Sequence, residues 1–264
     1  GRSINEINLY STEMSSALCS IDRVSASANM NNRLSEAIVE AYKSTNGAPI
    51  SFELMLKCYQ SRMKDANNDD SISSVLKQLV NAHIFESEDK VSLIDDSYII
   101  KMDGYPKDGP IAKAIVYFLM SKLNNIYELL DKQAVNDEVV QIRHFSIIDE
   151  AHYMLDFDNR PLRNLIAVGR NKGLSIILAT QNMSSFKSKG FDFYANAQYP
   201  LIMKQQTIDD KVIKDLFGVS GQELQEIRTA IAGLQKGELI IKDQMAFALG
   251  MGNKYKKINV THLI

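Results

Sequence analysis

No excess of either charge marks this chain. Thirty Lys and Arg stand against 32 Asp and Glu in 264 residues, a net charge of −2. The whole-domain basic footprint of many nucleic-acid-binding domains is therefore missing. Net charge does not exclude a grip made by a few residues lining a pore. Cysteine is scarce: Cys19 and Cys58 are the only two, far apart and without metal-ligand spacing. With no secretory signal in view, they are expected to be reduced core thiols. The four histidines, His83, His144, His152 and His262, are scattered and form no zinc-binding pattern. No apolar run reaches the length needed to span a bilayer. The thirteen glycines never assemble into Gly-x-x-x-x-Gly-Lys-Ser/Thr, the loop whose N–H groups and lysine cradle nucleotide phosphates. Internal repeats and low-complexity tracts are absent as well. Hydrophobic content of 45% and charged content of 23% are ordinary for a folded globular domain, and the length suffices for a substantial core.

What the chain does have is concentrated in its middle. His144-Phe145-Ser146-Ile147-Ile148 is a mostly apolar run that enters Asp149-Glu150 directly. A short continuous apolar run reads as a buried parallel strand. Carboxylates at the C-terminal end of such a strand emerge where open α/β sheets bind ligands. In nucleotide-hydrolysing enzymes of this architecture the first acid holds magnesium, directly or through water, and the second orients and deprotonates the attacking water. Asp149 fits the first role and Glu150 the second. Read locally, the same string is an apolar strand ending in two solvated acids.

The next segment favours the first reading. Asn159 to Gly169 has helical spacing, with apolar positions at Leu162, Leu165 and Ile166. Gly169-Arg170-Asn171-Lys172-Gly173 follows as a tight turn. Leu174-Ser175-Ile176-Ile177-Leu178-Ala179-Thr180-Gln181 is then a second apolar strand with a polar end. Strand, helix and strand make a parallel unit with a right-handed crossover. Parallel neighbours would place Gln181 beside the acid pair, where its amide can hydrogen-bond the attacking water or a terminal phosphate.

Taken together, Ile147-Ile148-Asp149-Glu150-Ala151-His152, Gly169-Arg170-Asn171-Lys172-Gly173 and Leu174 to Gln181 resemble the HerA/FtsK class of hexameric P-loop motor ATPases. That class includes the ATPases of conjugation and type IV secretion and several phage-defence motors. The resemblance implies an α/β fold: a RecA-like P-loop NTPase core with a mainly parallel sheet, incomplete at its N-terminal edge, plus a helical insertion. It makes Asp149 and Glu150 the Walker B pair, with Asp149 toward Mg2+ and ATP, and Gln181 the sensor. It makes Arg170 an arginine finger reaching the nucleotide of an adjacent subunit, where it would stabilise charge on the transferring phosphoryl group. Arg170 and Lys172 are otherwise two basic residues at a helix C-terminus, favoured there by the helix dipole. The missing phosphate-cradling string is expected from a C-terminal portion that begins just after the Walker A half. Gly1-Arg2-Ser3 carries no initiator Met and reads as a tag remnant or processing scar. The alternative is a homologue that lacks the loop by nature.

On this reading residues 1–95 are a mainly helical insertion region and 96–264 the ATPase core. Ser3 to Ser35 is rich in Ser, Asn and Ala. Leu34–Tyr42 and Phe52–Met63 have helical spacing. Asp70 or Ser71 is placed to cap a helix over 72–82. The stretch from Val75 through Phe85 and Val91 to Ile94 reads as helix then short hairpin. It has the look of a winged helix but is better placed as part of the insertion. Ser97 to Asp103 reads as a strand. Pro110 to about Lys132 is a long helix with its stripe at Ile111, Ala114, Ile115, Phe118, Leu119, Leu123, Ile126, Leu129 and Leu130. A strand over 197–203, helices over 209–217 and 221–231, and a terminal hairpin from Gly237 complete the chain.

The function implied is the C-terminal part of an ATP-hydrolysing ring motor that moves or remodels DNA through its pore. Its partners would be other copies in a hexamer and other subunits of a bacterial DNA-processing, restriction or phage-defence system, and its location cytoplasmic. The isolated chain is expected to be inactive without Walker A. A non-catalytic assembly module is the alternative. A superfamily 2 helicase, suggested by Asp-Glu-Ala-His, ranks lower: Leu178-Ala179-Thr180-Gln181 stands where that class carries Ser-Ala-Thr, and no later Gln-x-x-Gly-Arg-x-x-Arg string follows.

Overall fold

The computed structural model describes residues 3–21, 26–65, 69–85, 92–136, 139–181, 183–188, 191–197, 199–249 and 254–260. The chain forms two compact units. One comprises Gly1–Ser146 with Asp156–Ile176, the other Ile147–Leu155 with Ile177–Ile264.

The first unit is built on helices α1 (Ile4–Ile21), α2 (Ala28–Ser44), α3 (Phe52–Gln60), α4 (Ser71–Asn81) and α5 (Pro110–Leu129). Their starts are written in the sequence. Ser27 accepts the Met30 N–H and Ser51 the Leu54 N–H. Asp70 and Ser73 form a reciprocal capping box on α4. The Asp70 carboxylate also accepts the Tyr59 hydroxyl at 2.6 Å and Arg33 Nη1 at 3.2 Å, so one acid ties three helices. Leu18, Leu34, Ile38, Tyr59, Leu76 and Leu79 are sealed from solvent in this core. The Ser- and Ala-rich opening proves helical because its small residues form a close interface. Ser11, Ser15 and Ala17 of α1 are buried, as are Ala37 and Ala41 of α2. The buried hydroxyls are satisfied locally, Ser11 Oγ donating to Asn8 O and Ser15 Oγ to Thr12 O.

Two expectations fail in this unit. Ser97 to Asp103 forms no strand; no neighbouring strand among the described residues offers it a ladder, and Ile99 is 89% exposed. The long helix ends at Leu129, and its buried face is rotated from the expected stripe. Lys113, Val116, Tyr117, Leu123, Asn124 and Tyr127 are buried, whereas Leu129 is 88% exposed. Two tyrosines carry much of that face, and Lys113 is held inside by Asp156 at 2.9 Å. The hairpin expected near 85–94 falls largely outside the described residues.

After α5 come a two-residue antiparallel pair, β1 (Val135–Asn136) and β2 (Val139–Val140), then β3 (His144–Ile148), α6 (His152–Leu155), α7 (Arg160–Val168), a 3-10 turn over Gly169–Lys172 and β4 (Leu174–Leu178). The strand–helix–strand order matches the sequence reading. In the second unit a 3-10 turn over Met183–Phe186 leads to the antiparallel pair β5 (Lys187–Ser188) and β6 (Phe191–Asp192). Then follow α8 (Phe193–Asn196), β7 (Leu201–Met203), α9 (Asp210–Phe217), α10 (Gly221–Ala232), β8 (Glu238–Lys242), α11 (Gln244–Leu249) and β9 (Tyr255–Asn259). Strands β7, β8 and β9 form an antiparallel sheet in that order. Ile202 and Ile240 pair across it and join a core with Val212, Ile213, Phe217, Leu224, Ile227 and Ile231 of α9 and α10. Of the strand expected over 197–203, Leu201–Met203 forms one, and α11 interrupts the terminal hairpin.

Candidate active site

Strands β3 and β4 pair side by side. At their entry, the Arg143 and His144 N–H groups donate to Gly173 O at 2.8 and 3.2 Å. At their exit, the Ala179 N–H donates to Ile148 O at 2.9 Å and the Ala151 N–H to Ala179 O at 2.8 Å. Starts meet starts and ends meet ends, so the pair is parallel. Their C-terminal ends, with Asp149-Glu150 and Gln181, therefore emerge together. The strands are less buried than expected. Phe145 is 57% and Ile147 69% exposed, both on the less covered of the two faces between which β3 alternates.

The loop after β3 is shaped by the acids themselves. Asp149 Oδ1 accepts the Glu150 N–H at 2.9 Å. Glu150 takes a left-handed backbone, φ 51°, which costs an L-residue about 1–2 kcal/mol. Its carboxylate is gripped from the neighbouring strand end: Gln181 Nε2 donates to Glu150 Oε1 at 2.7 Å. His152, the first residue of α6, faces the other oxygen, with Nδ1 3.5 Å from Glu150 Oε2. The same Nδ1 lies 3.3 Å from Thr180 Oγ1, and the imidazole rests tilted on the Tyr153 ring at 4.1 Å. Asp149 and Gln181 are exposed, and Glu150, His152 and Thr180 half-buried.

Asp149, Glu150 and Gln181 are thus brought into one cluster, joined by Thr180 and His152. Thr180 was not singled out from the sequence. Its partner is His152, and nothing in the order of residues along the chain marks that contact. Arg170 lies in the turn that precedes β4, exposed and in the other compact unit. The turn needs its glycines. Gly173 has φ 83°, and a Cβ there would come 2.7 Å from Gln141 O. Lys172 has a structural partner: its Nζ donates to Glu128 O at 2.8 Å, closing a carbonyl in the last turn of α5.

No group of three or more His, Cys, Asp or Glu able to hold a metal occurs among the described residues. An exposed strand-end carboxylate such as Asp149 nevertheless suits magnesium, which keeps most of its waters and takes one or two carboxylates beside substrate phosphates. No helix among the described residues is long and apolar enough to cross a membrane.

The fold is an incomplete RecA-like α/β core joined to helices. The solved structure of VirB4 of Thermoanaerobacter pseudethanolicus superposes on 98% of this chain and 69% of its own, with a TM-score of 0.64 and 18% sequence identity. No protein-family model and no curated protein matches the chain. At that identity the likeness speaks for the fold. The resemblance to HerA/FtsK-class motors drawn from the motifs thus extends to the architecture.

Proposed function

We propose that this chain carries the Walker B half of an ATP-hydrolysing motor of the HerA/FtsK class, working as a ring on DNA in a bacterial DNA-processing or defence system in the cytoplasm. One observation carries the reading. An acid pair and a glutamine sit at the shared C-terminal end of two parallel strands, with the glutamine on the second acid. That is where an open α/β sheet does its chemistry.

Asp149 holds magnesium, directly or through water. Bound with ATP, the cation supplies neutralising charge on the phosphate oxygens. Glu150 accepts the proton of the attacking water at a carboxylate oxygen. Gln181 orients that water or the terminal phosphate through its amide, exchanging its present bond to Glu150 for the new one. Arg170 serves the nucleotide of the adjacent subunit in a hexamer. The second reading, a non-catalytic assembly module, draws its support from the sequence, which holds no phosphate-cradling string.

ATP turnover by the chain alone, and joined to a phosphate-cradling loop segment, separates the two. The chain alone should show little or no turnover. The joined protein should hydrolyse ATP with magnesium, and Glu150→Gln should lower that rate by about 10²- to 10⁴-fold while ATP still binds, because an amide cannot take the proton. Turnover indifferent to Glu150→Gln would overturn the catalytic reading.

A further inference from the structure

We propose that His152 is the positioning residue for Glu150, holding its carboxylate in place when Gln181 turns to the nucleotide. The inference rests on the proposed function and deepens it.

Three features of the cluster lead there. First, Glu150 sits on a left-handed backbone at φ 51°, so its side chain departs from a main chain that the residue does not favour by itself. A carboxylate aimed from such a backbone needs outside support to keep one direction. Second, that support comes from two sides and on different oxygens. Gln181 Nε2 holds Oε1 at 2.7 Å, and His152 Nδ1 faces Oε2 at 3.5 Å. Third, the two supports differ in what else they do. Gln181 is exposed and has a second task at the water or phosphate, so its bond to Oε1 is broken in each cycle. His152 has no such task. Its ring lies against Tyr153, which seats the imidazole independently of Glu150, and the single hydrogen of Nδ1 serves Thr180 Oγ1 at 3.3 Å while Gln181 holds the acid. Thr180 adjoins Gln181 in the chain, so a shift at the sensor reaches the histidine through one residue.

At 3.5 Å the His152 contact is longer than a hydrogen bond of normal strength. While Gln181 holds Oε1 the histidine merely faces the acid. Release of Oε1 lets the carboxylate swing toward Nδ1 and close that gap. The base then stays within reach of the water, where a displacement of about 1 Å costs on the order of a hundredfold in rate.

Two measurements test this on three variants. The side-chain amide nitrogen of asparagine falls near the place of Nδ1, and that of glutamine near the place of Nε2. Crystal structures of the chain with Gln181→Ala, which frees Oε1, should show the Glu150 carboxylate displaced or spread over rotamers when His152→Ala or His152→Gln is added, and in its native position with His152→Asn. In the ATP-hydrolysing protein, His152→Ala and His152→Gln should lower kcat about tenfold with KM for ATP within about twofold, and His152→Asn should recover most of the rate. A residue that merely supports the fold would lower stability and leave asparagine and glutamine alike. Wild-type turnover in His152→Ala, or an unmoved Glu150 in the crystal structure of His152→Ala combined with Gln181→Ala, would overturn the proposal. If Glu150→Gln itself leaves turnover unchanged, the catalytic reading fails instead, and the crystal structures alone decide whether His152 positions the acid.

Discussion

In the helical body, Leu34, Ile38, Leu76 and Leu79 are cut off from solvent, and the helix starts are capped as their sequences direct. Along β3 the apolar residues Phe145 and Ile147 are more than half exposed, and Glu150, the second residue past the strand, is held on a disfavoured backbone. Local sequence and tertiary packing agree over α2, α3 and α4. Along β3 and at Glu150 they conflict, and such conflict gathers at functional sites. Stability should therefore reside in the helices, and turnover should depend on groups that add little to stability.

The largest stability effect is expected from Leu76→Ala. Leu76 is fully buried among α4 neighbours Ile72, Val75 and Leu79, and its truncation should cost about 3 kcal/mol in a urea titration. The Glu150–Gln181 pair belongs to the other compact unit. An effect below about 1 kcal/mol would mean that the helical core is not the seat of stability.

Gly173→Ala comes next. The substitution meets a positive φ and a backbone carbonyl 2.7 Å from the new Cβ. A loss of about 2 kcal/mol is expected, with the start of β4 disturbed. This prediction sharpens the comparison, because Gly173 immediately precedes β4, the strand whose exit leads to Gln181. A neutral outcome would show that the turn relaxes freely.

Cys19 offers a test by pH. Burial, with Asp70 nearby, pushes its thiol up to about 12 from 9.0. A pKa raised in the folded state gives stability that is complete below pH 9 and lost as pH climbs toward 12. The unfolding free energy from urea titration should fall over that window, by about 1 kcal/mol per pH unit for one thiol, and Cys19→Ala should flatten the slope. The Tyr59 and Tyr117 hydroxyls are also raised by burial, so part of the alkaline slope should survive that substitution. An unchanged slope in Cys19→Ala would place the linkage elsewhere.

The strand–helix–strand unit around the acid pair was legible because its signals are local: continuous apolar runs, polar ends and a Gly-Arg-Asn-Lys-Gly turn. The Asp70 cap was legible for the same reason. The face of α5 was not, because Tyr117, Tyr127 and Lys113 are buried by what they touch, not by their hydropathy. The closely packed start of α1 hid behind serines whose hydroxyls are satisfied within the helix. Ser97 to Asp103 has strand composition, but a strand needs a partner, and composition cannot supply one. At the site, the identities of Asp149, Glu150 and Gln181 could be read from order along the chain. The seat of His152 beside Thr180 depends on which ring nitrogen faces which oxygen, a property of the fold alone.

The smallest expected effect divides the two regions most sharply. Glycine accepts φ 51° without the clash that a Cβ brings, so Glu150→Gly removes the strain that Glu150 carries. It also removes an exposed-side hydrogen bond from Gln181 and adds chain entropy to the unfolded state. These terms partly cancel. The strain is the largest of them, so the variant should be as stable as the parent or more stable by about 0.5 kcal/mol. If Glu150 is the base, the same substitution should remove ATP turnover in the joined protein. A residue whose loss leaves the fold firmer and the chemistry gone was kept for the chemistry. A clear loss of stability in Glu150→Gly would show instead that the acid pair is part of the scaffold, and the contrast between helical body and strand ends would have to be redrawn.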